Sequence, residues 1–196
     1  MNTEILRPTS SAGFARAAAI IRSGALVAFP TETVYGLGAN GLDAASCRHI
    51  YEVKGRPSDN PLILHIADLA MAQEAVCAVP PTAAHLLTAF APGPLTVILP
   101  KAAHIPDIVT GGLSTVGVRC PDNDIARRFI RAAGVPIAAP SANTSGRPSP
   151  TTAATVYADM AGRIPLILDG GSCRLGVEST IVDCTEEGIV TILRPG

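Results

Sequence analysis

The chain has 196 residues, enough for one domain with a sizeable core. Hydrophobic residues make up 47% and charged residues 16%, which excludes an intrinsically disordered chain. The net charge of -1 excludes a global basic field, so any nucleic-acid contact would need a local patch.

The N-terminal "MNTEILRPTSS" lacks the basic-then-apolar plan of a signal peptide. No apolar run approaches the roughly 18 residues of a membrane span. A cytoplasmic protein without a membrane partner is therefore expected. Residues 12–24 have helical spacing and stop on a glycine, and 25–30 form a short apolar strand ended by proline. Residues 42–55 read as a helix with Asp43 as N-cap and Gly55 as C-cap. A strand over 61–66 follows, then helices over 68–76 and 81–90, and strands over 94–100 and 115–121. The remaining pattern is a helix over 122–134, a strand over 135–140, a helix over 151–162, and strands over 165–171, 179–184 and 188–195. This alternation predicts an α/β fold: an open twisted mixed sheet flanked by helices. The last strands follow one another without helices, so part of the sheet is expected to be antiparallel. With no repeat or linker, a single domain over 1–196 is expected. Cys47, Cys77, Cys120, Cys173 and Cys184 are odd in number and scattered, without C-x-x-C. They read as small buried residues, not a zinc or disulfide framework.

Unusual residues gather at strand ends, where open α/β sheets bind ligands. "PTETVYGLGANG" (30–41) contains G-x-G-x-x-G at Gly36, Gly38 and Gly41, but "PTETVY" separates the strand from the glycines. No acidic strand end follows about 20 residues later, so a dinucleotide fingerprint is rejected. The stretch fits either a glycine-rich packing turn or a ligand loop offering the Thr31 and Thr33 hydroxyls. "KGRPSDNPLILHI" (54–66) sets Lys54 and Arg56 on a turn stiffened by proline and glycine, suited to clamping an anion, and then sends His65 along a strand. A solvated loop and a core histidine are the plainer alternatives. "STVGVRCP" (114–121) ends an apolar strand on Arg119, and an inward arginine needs an anionic partner. "APSANTSGRPSPT" (139–151) packs Ser141, Asn143, Thr144, Ser145, Arg147 and Ser149 before a helix start at Thr151 and Thr152, a candidate anion site or an ordinary polar loop. "GGSCRLGVEST" (170–180) adds Arg174 and Ser179. Neither a G-x-S-x-G elbow, nor H-E-x-x-H, nor a Walker loop occurs. The inventory is cations and hydroxyls, which suits positioning and electrostatic stabilisation of phosphoryl chemistry.

Taken together, "PTETVYGLG", "KGRPSDNPLILHI", "PGPLTVIL", "VGVRCPDN", "PSANTSGRPSPT", "VESTIVD" and "ILRPG" resemble, in order, the motifs of the YrdC-like family of threonylcarbamoyl-AMP synthases, over about residues 12 to 196. The resemblance implies an open α/β sheet with a positively charged concave face. It also implies a nucleotidyltransferase that joins L-threonine, bicarbonate and ATP, with Mg2+, into threonylcarbamoyl-AMP and pyrophosphate. A separate threonylcarbamoyl transferase complex would then modify the adenosine next to the anticodon of tRNA. By resemblance, Thr33, His65, Arg119, Ala139 and Ser179 line the threonine pocket. Arg56, Asn60, Thr115, Ser141, Ser149 and Arg194 hold ATP, Lys54 and Arg56 serve at the phosphates, and no protein side chain binds the metal. Longer family members continue past the "RPG" with a linker and a second domain; a single YrdC-like domain, with no second C-terminal domain, is expected here.

Two rivals share parts of the pattern. A carbamoyltransferase of the hydrogenase-maturation type carries a similar domain but also needs zinc-finger regions, which the cysteine spacing excludes. A non-enzymatic module binding tRNA or double-stranded RNA on the concave face is the other. The aromatic content of 4% and the near-neutral charge argue against tight autonomous binding.

Overall fold

A computed structural model describes all residues, 1–196. In chain order the elements are β1 (Glu4–Leu6), α1 (Ser11–Arg22), β2 (Val27–Phe29), β3 (Gly36–Asn40), α2 (Ala44–Lys54) and β4 (Ile63–His65). Then come α3 (Leu69–Ala72), α4 (Pro81–Phe90), β5 (Leu95–Pro100), α5 (Asp107–Thr110), β6 (Thr115–Arg119) and α6 (Asp124–Ala133). The chain closes with β7 (Ile137–Ala139), α7 (Ala153–Met160), β8 (Leu166–Leu168), β9 (Thr180–Asp183) and β10 (Thr191–Arg194).

The strands form one ten-stranded mixed sheet in the order β1-β8-β2-β3-β7-β4-β6-β5-β9-β10. The short strands β2, β7 and β8 are buried on both faces, which explains their unbroken apolar runs. On one face α1 and α6 pack Phe14, Ile21, Phe129 and Ile130 against Val27, Phe29 and Leu166. On the other, α2, α4 and α7 bring Ile50, Leu87 and Met160 against Leu37, Leu64 and Ile167. Each buried aliphatic or aromatic side chain contributes about 1.5–3 kcal/mol, so the two layers together hold the sheet between them. As expected from the missing helix between them, β9 and β10 pair antiparallel.

Helix α2 is capped as its sequence indicates. The Asp43 carboxylate accepts from the Ala45 N–H at 3.0 Å, and Gly55 takes the left-handed C-cap at φ 63°. Three expectations need correction. "GLGAN" is neither a turn nor a ligand loop but strand β3, antiparallel to both β2 and β7. Its glycines are there for room: a Cβ at Gly38 would stand 2.7 Å from Ile137 Cγ2, and one at Gly36 would stand 3.1 Å from the Phe29 ring. Second, the sheet begins before residue 12, because β1 pairs with β8. Third, the helix expected over 68–76 is only the four residues of α3. Among the cysteines, Cys47, Cys120 and Cys184 are buried, whereas Cys77 is exposed and Cys173 half-buried.

Candidate functional site

A cavity of about 400 Å³ opens on the sheet face formed by β4, β5, β6, β7 and β9. The register explains who meets there. His65 pairs with Arg119 across β4 and β6, and Ile63 faces Gly117 on one side and Ala139 on the other. Strand side chains alternate faces, so Ile63 and His65 share the cavity face with Gly117 and Arg119. Gly117 keeps the floor low; a Cβ there would come within 3.1 Å of the Thr96 methyl.

The inner end is built from buried groups. Arg119 Nη2 donates to Thr33 Oγ1 at 3.0 Å and stands 2.8 Å from Glu32 Oε2. Thr31 Oγ1 donates to the Val34 carbonyl at 2.7 Å and lies 2.9 Å from Thr33 Oγ1. Thr31 Oγ1 also accepts from the Thr33 and Val34 N–H groups, both at 3.2 Å, and Thr33 Oγ1 accepts from Arg119. His65 makes an edge-to-face contact with Phe29, ring centroids 5.7 Å apart. Its Nδ1 lies 3.2 Å from the Ile63 carbonyl, and the Ile137 backbone also hydrogen-bonds the ring. Burial and then the neighbouring Arg119 charge push the imidazole pKa down to about 3, so it is neutral at physiological pH. Ser179 Oγ lies 2.8 Å from Thr96 Oγ1.

The outer end is built on loops. Arg56 rests its guanidinium on the carbonyls of Asn60 (3.4 Å) and Pro61 (3.2 Å), part-exposed. Arg194 grips the Ser179 carbonyl with Nε at 3.1 Å and Nη2 at 2.8 Å, tying β10 to the cavity rim. Glu178 is the single acid among the lining residues. Ser149 Oγ donates to Glu178 Oε1 at 2.5 Å, and this bond first of all holds the carboxyl below its ordinary range. Three arginines, Arg56, Arg119 and Arg194, thus face the cavity with one carboxylate.

Of the residues singled out in the sequence, Thr33, Arg56, Asn60, His65, Arg119, Ala139, Ser141, Ser179 and Arg194 meet around this one cavity. Thr115, Ser149 and Lys54 do not line it. Thr115 lies on the cavity face of β6 but two residues before Gly117, beyond the wall. Ser149 stands one hydrogen bond behind, on Glu178. Lys54 is not on the stiff turn: it is the last residue of α2, and its side chain is buried. Its ammonium donates to the carbonyls of Ser141, at 2.5 Å, and of Asn143. Burial, with Arg56 nearby, pushes its pKa down to about 8. Lys54 therefore holds the 141–143 turn in place, which ties two of the sequence segments together.

Other candidates turn out to serve the scaffold. Arg147 pairs with Asp159 at 2.6 Å and Arg174 with Asp122 at 3.0 Å, both outside the cavity. Asn143 Nδ2 donates to the Thr144 and Arg147 carbonyls. At the helix start behind them Thr152 Oγ1 caps α7 by accepting from the Thr155 N–H at 3.2 Å. The reading of a purely cationic and hydroxylic inventory missed Glu32, Glu178 and Thr96. An inward arginine announces an anion, and "PTET" offers one acid between two hydroxyls; that was the available signal for Glu32.

Comparison with known proteins concerns the sequence and the fold. The family model described as "Telomere recombination", Sua5_yciO_yrdC, matches residues 19–196. The chain belongs to the Sua5/YciO/YrdC family. It is 54% identical to the threonylcarbamoyl-AMP synthase of Pyrococcus abyssi over 92% of this chain and 53% of that protein. It is 51% identical to the Bacillus subtilis threonylcarbamoyl-AMP synthase over 96% of this chain and 54% of that protein. Its fold superposes on P. abyssi Sua5 complexed with L-threonine with a TM-score of 0.95 at 50% identity, covering all of this chain and 58% of that one. The chain thus spans about half the length of the curated relatives it matches.

Proposed function

We propose that this chain is an L-threonylcarbamoyladenylate synthase, joining L-threonine, bicarbonate and ATP into threonylcarbamoyl-AMP with release of pyrophosphate. The observation that supports it best is a single cavity with a buried arginine, acceptor hydroxyl and neutral imidazole at one end and two part-exposed arginines, Arg56 on a loop and Arg194 at the end of β10, at the other. The threonine bound in the related P. abyssi structure and the names of the relatives point the same way.

In this reading the amino acid lies at the inner end, among Thr33, His65, Arg119, Ala139 and Ser179. Its carboxylate meets Arg119, whose planar fork suits it. Its nitrogen faces the Thr33 hydroxyl. Mg2+–ATP lies toward Arg56, Asn60, Ser141 and Arg194, with Thr115 and Ser149 at the margin and the metal held by the triphosphate. The amine takes up carbon dioxide as a carbamate, whose oxygen attacks the α-phosphorus in line as pyrophosphate leaves. The protein's work is to hold two anions together and offset their repulsion. Arg56 and Arg194 supply the charge, and Lys54 holds the Ser141 turn. The product would pass, in the cytoplasm, to a threonylcarbamoyl transferase complex acting on tRNA.

The test is pyrophosphate release with each component omitted in turn, in buffer stripped of carbon dioxide. Release only when threonine, bicarbonate and Mg2+–ATP are all present is expected. Equal release without threonine would make the protein a nucleotide hydrolase. No release, with a salt-dependent tRNA shift in the absence of nucleotide, would favour an RNA-binding module.

A further inference from the structure

Glu32 is the one buried acid of the whole chain, and Arg119 its one buried arginine. They form the single ion pair in which both side chains are less than a tenth exposed, at 5% and 2%. The contact, 2.8 Å from Nη2 to Oε2, lacks the alignment of a hydrogen bond. Both carboxylate oxygens and Arg119 Nε are without hydrogen-bond partners. A pair this dry and this incompletely bonded is poorly suited to holding a fold together, because desolvation offsets most of its attraction. It also sits at the functional end of the molecule. Arg119 lines the cavity, whereas Glu32 does not and stands behind it.

The surrounding chain is arranged to keep Glu32 there. The glycine-rich 170–178 segment lies across it, with Leu175 N–H donating to the Glu32 carbonyl at 2.9 Å and Gly176 N–H to the Thr33 carbonyl at 3.0 Å. Thr31 and Thr33, on either side, are locked to each other and to Val34. The guanidinium is thus gripped at Nη2 by a charge and a hydroxyl from consecutive residues, while Nε is left without a partner.

We propose that Glu32 is a positioning residue of the amino-acid subsite: the internal counter-ion that fixes Arg119 by Nη2 and so holds the part of the guanidinium that lines the cavity ready for the substrate carboxylate. This rests on the reading that Arg119 receives that carboxylate. The arriving anion meets a cation that is already charged, desolvated and oriented, so no rearrangement is needed on binding.

The experiment is calorimetric titration of L-threonine into the full chain, with KM for threonine and for ATP measured on the same variants and folding checked by denaturation. Glu32→Gln keeps the shape and removes the charge. It is expected to weaken threonine binding about 10-fold or more while KM for ATP stays within about twofold. Glu32→Asp keeps the charge one methylene further back and is expected to recover most of the affinity, to within about threefold of wild type. Because Glu32 acts through Arg119, Glu32→Gln in an Arg119→Lys background should add almost nothing. Wild-type threonine affinity in Glu32→Gln, alongside a defect in Arg119→Lys, would overturn the role of Glu32 and leave that of Arg119 standing. Wild-type affinity in Arg119→Lys would overturn both. Equal losses for threonine and ATP would mean a merely structural carboxylate and overturn the proposal. Should the Gln variant fail to fold, the Asp variant decides: threonine affinity within about threefold of wild type with KM for ATP unchanged supports the assignment, and a loss shared equally by threonine and ATP refutes it.

Discussion

The two ends of the cavity are built to different standards. Thr33, His65, Arg119, Ala139 and Ser179 are all buried, on strands or directly beside them, and their polar atoms are largely pre-engaged. At the other end Arg56, Asn60, Ser141 and Arg194 are part-exposed or exposed, and Arg56 rests only on carbonyls of its own turn. The contrast suits the two ligands. A small amino acid offers few contacts, so its pocket must be ordered beforehand. A triphosphate brings several charges and can order the Arg56 loop as it arrives, assisted by a turn already stiffened by Pro57 and Gly55.

Substitutions at the two ends should therefore differ in kind. The largest effect is expected for Arg119→Ala. It leaves Glu32 buried without a partner, and breaking such a pair costs about 3–5 kcal/mol. Chemical denaturation should show a lowered midpoint, and threonine binding should vanish. Arg119→Lys should bind threonine nearly as poorly, because the fork is lost. Unchanged stability of Arg119→Ala would mean that the inner end is not preassembled.

Arg56→Ala should behave in the opposite way. Losing charge-assisted bonds worth about 1.5–3 kcal/mol weakens ATP binding roughly 10- to 150-fold. Threonine affinity and the denaturation midpoint should stay close to wild type, since this side chain hydrogen-bonds only carbonyls of its own loop. Calorimetry showing wild-type ATP affinity would remove Arg56 from the nucleotide end.

His65 sharpens the comparison through pH. Its folded-state pKa, about 3, lies below the ordinary 6.5. Between those values the unfolded chain binds the extra proton, so the folded protein loses stability as pH falls from about 6.5 toward 3. Replacing His65 with Gln should flatten this acid limb relative to wild type. In the folded protein the imidazole stays neutral, so threonine affinity should not change with a midpoint near 6.5; such a midpoint would show the ring to be open to solvent.

The smallest effect concerns the sheet beneath the site. Gly38→Ala pushes a methyl to 2.7 Å from Ile137 Cγ2, and overpacking of this kind typically costs about 1–3 kcal/mol. Stability should fall while affinities for both ligands hold, and a gain in stability would contradict the packing.

The sequence made some of this plain and hid the rest. Helix α2 could be read to the residue, because Asp43 and Gly55 act locally through the backbone. Strand β3 could not, because the glycines that let it lie against Phe29 and Ile137 erase the alternation by which strands are recognised. The clustering of His65, Arg119 and Ala139 was foreseeable in outline, since strand ends gather, but their register was set by pairing distant in sequence. Lys54 misled because a cation beside Pro and Gly looks presented, whereas tertiary packing turned it onto the Ser141 and Asn143 carbonyls. Glu32 was hidden for the same reason: nothing local says which anion an inward arginine will find.

The central claim is that one cavity holds the amino acid at its buried end and the nucleotide at its loop end. A crystal structure of the chain with L-threonine, a non-hydrolysable ATP analogue and Mg2+ tests it most directly. The account predicts the threonine carboxylate in hydrogen-bond contact with Arg119, its nitrogen facing Thr33, and the triphosphate against Arg56 and Arg194. Threonine bound away from Arg119, or the nucleotide bound on another face of the sheet, would contradict it.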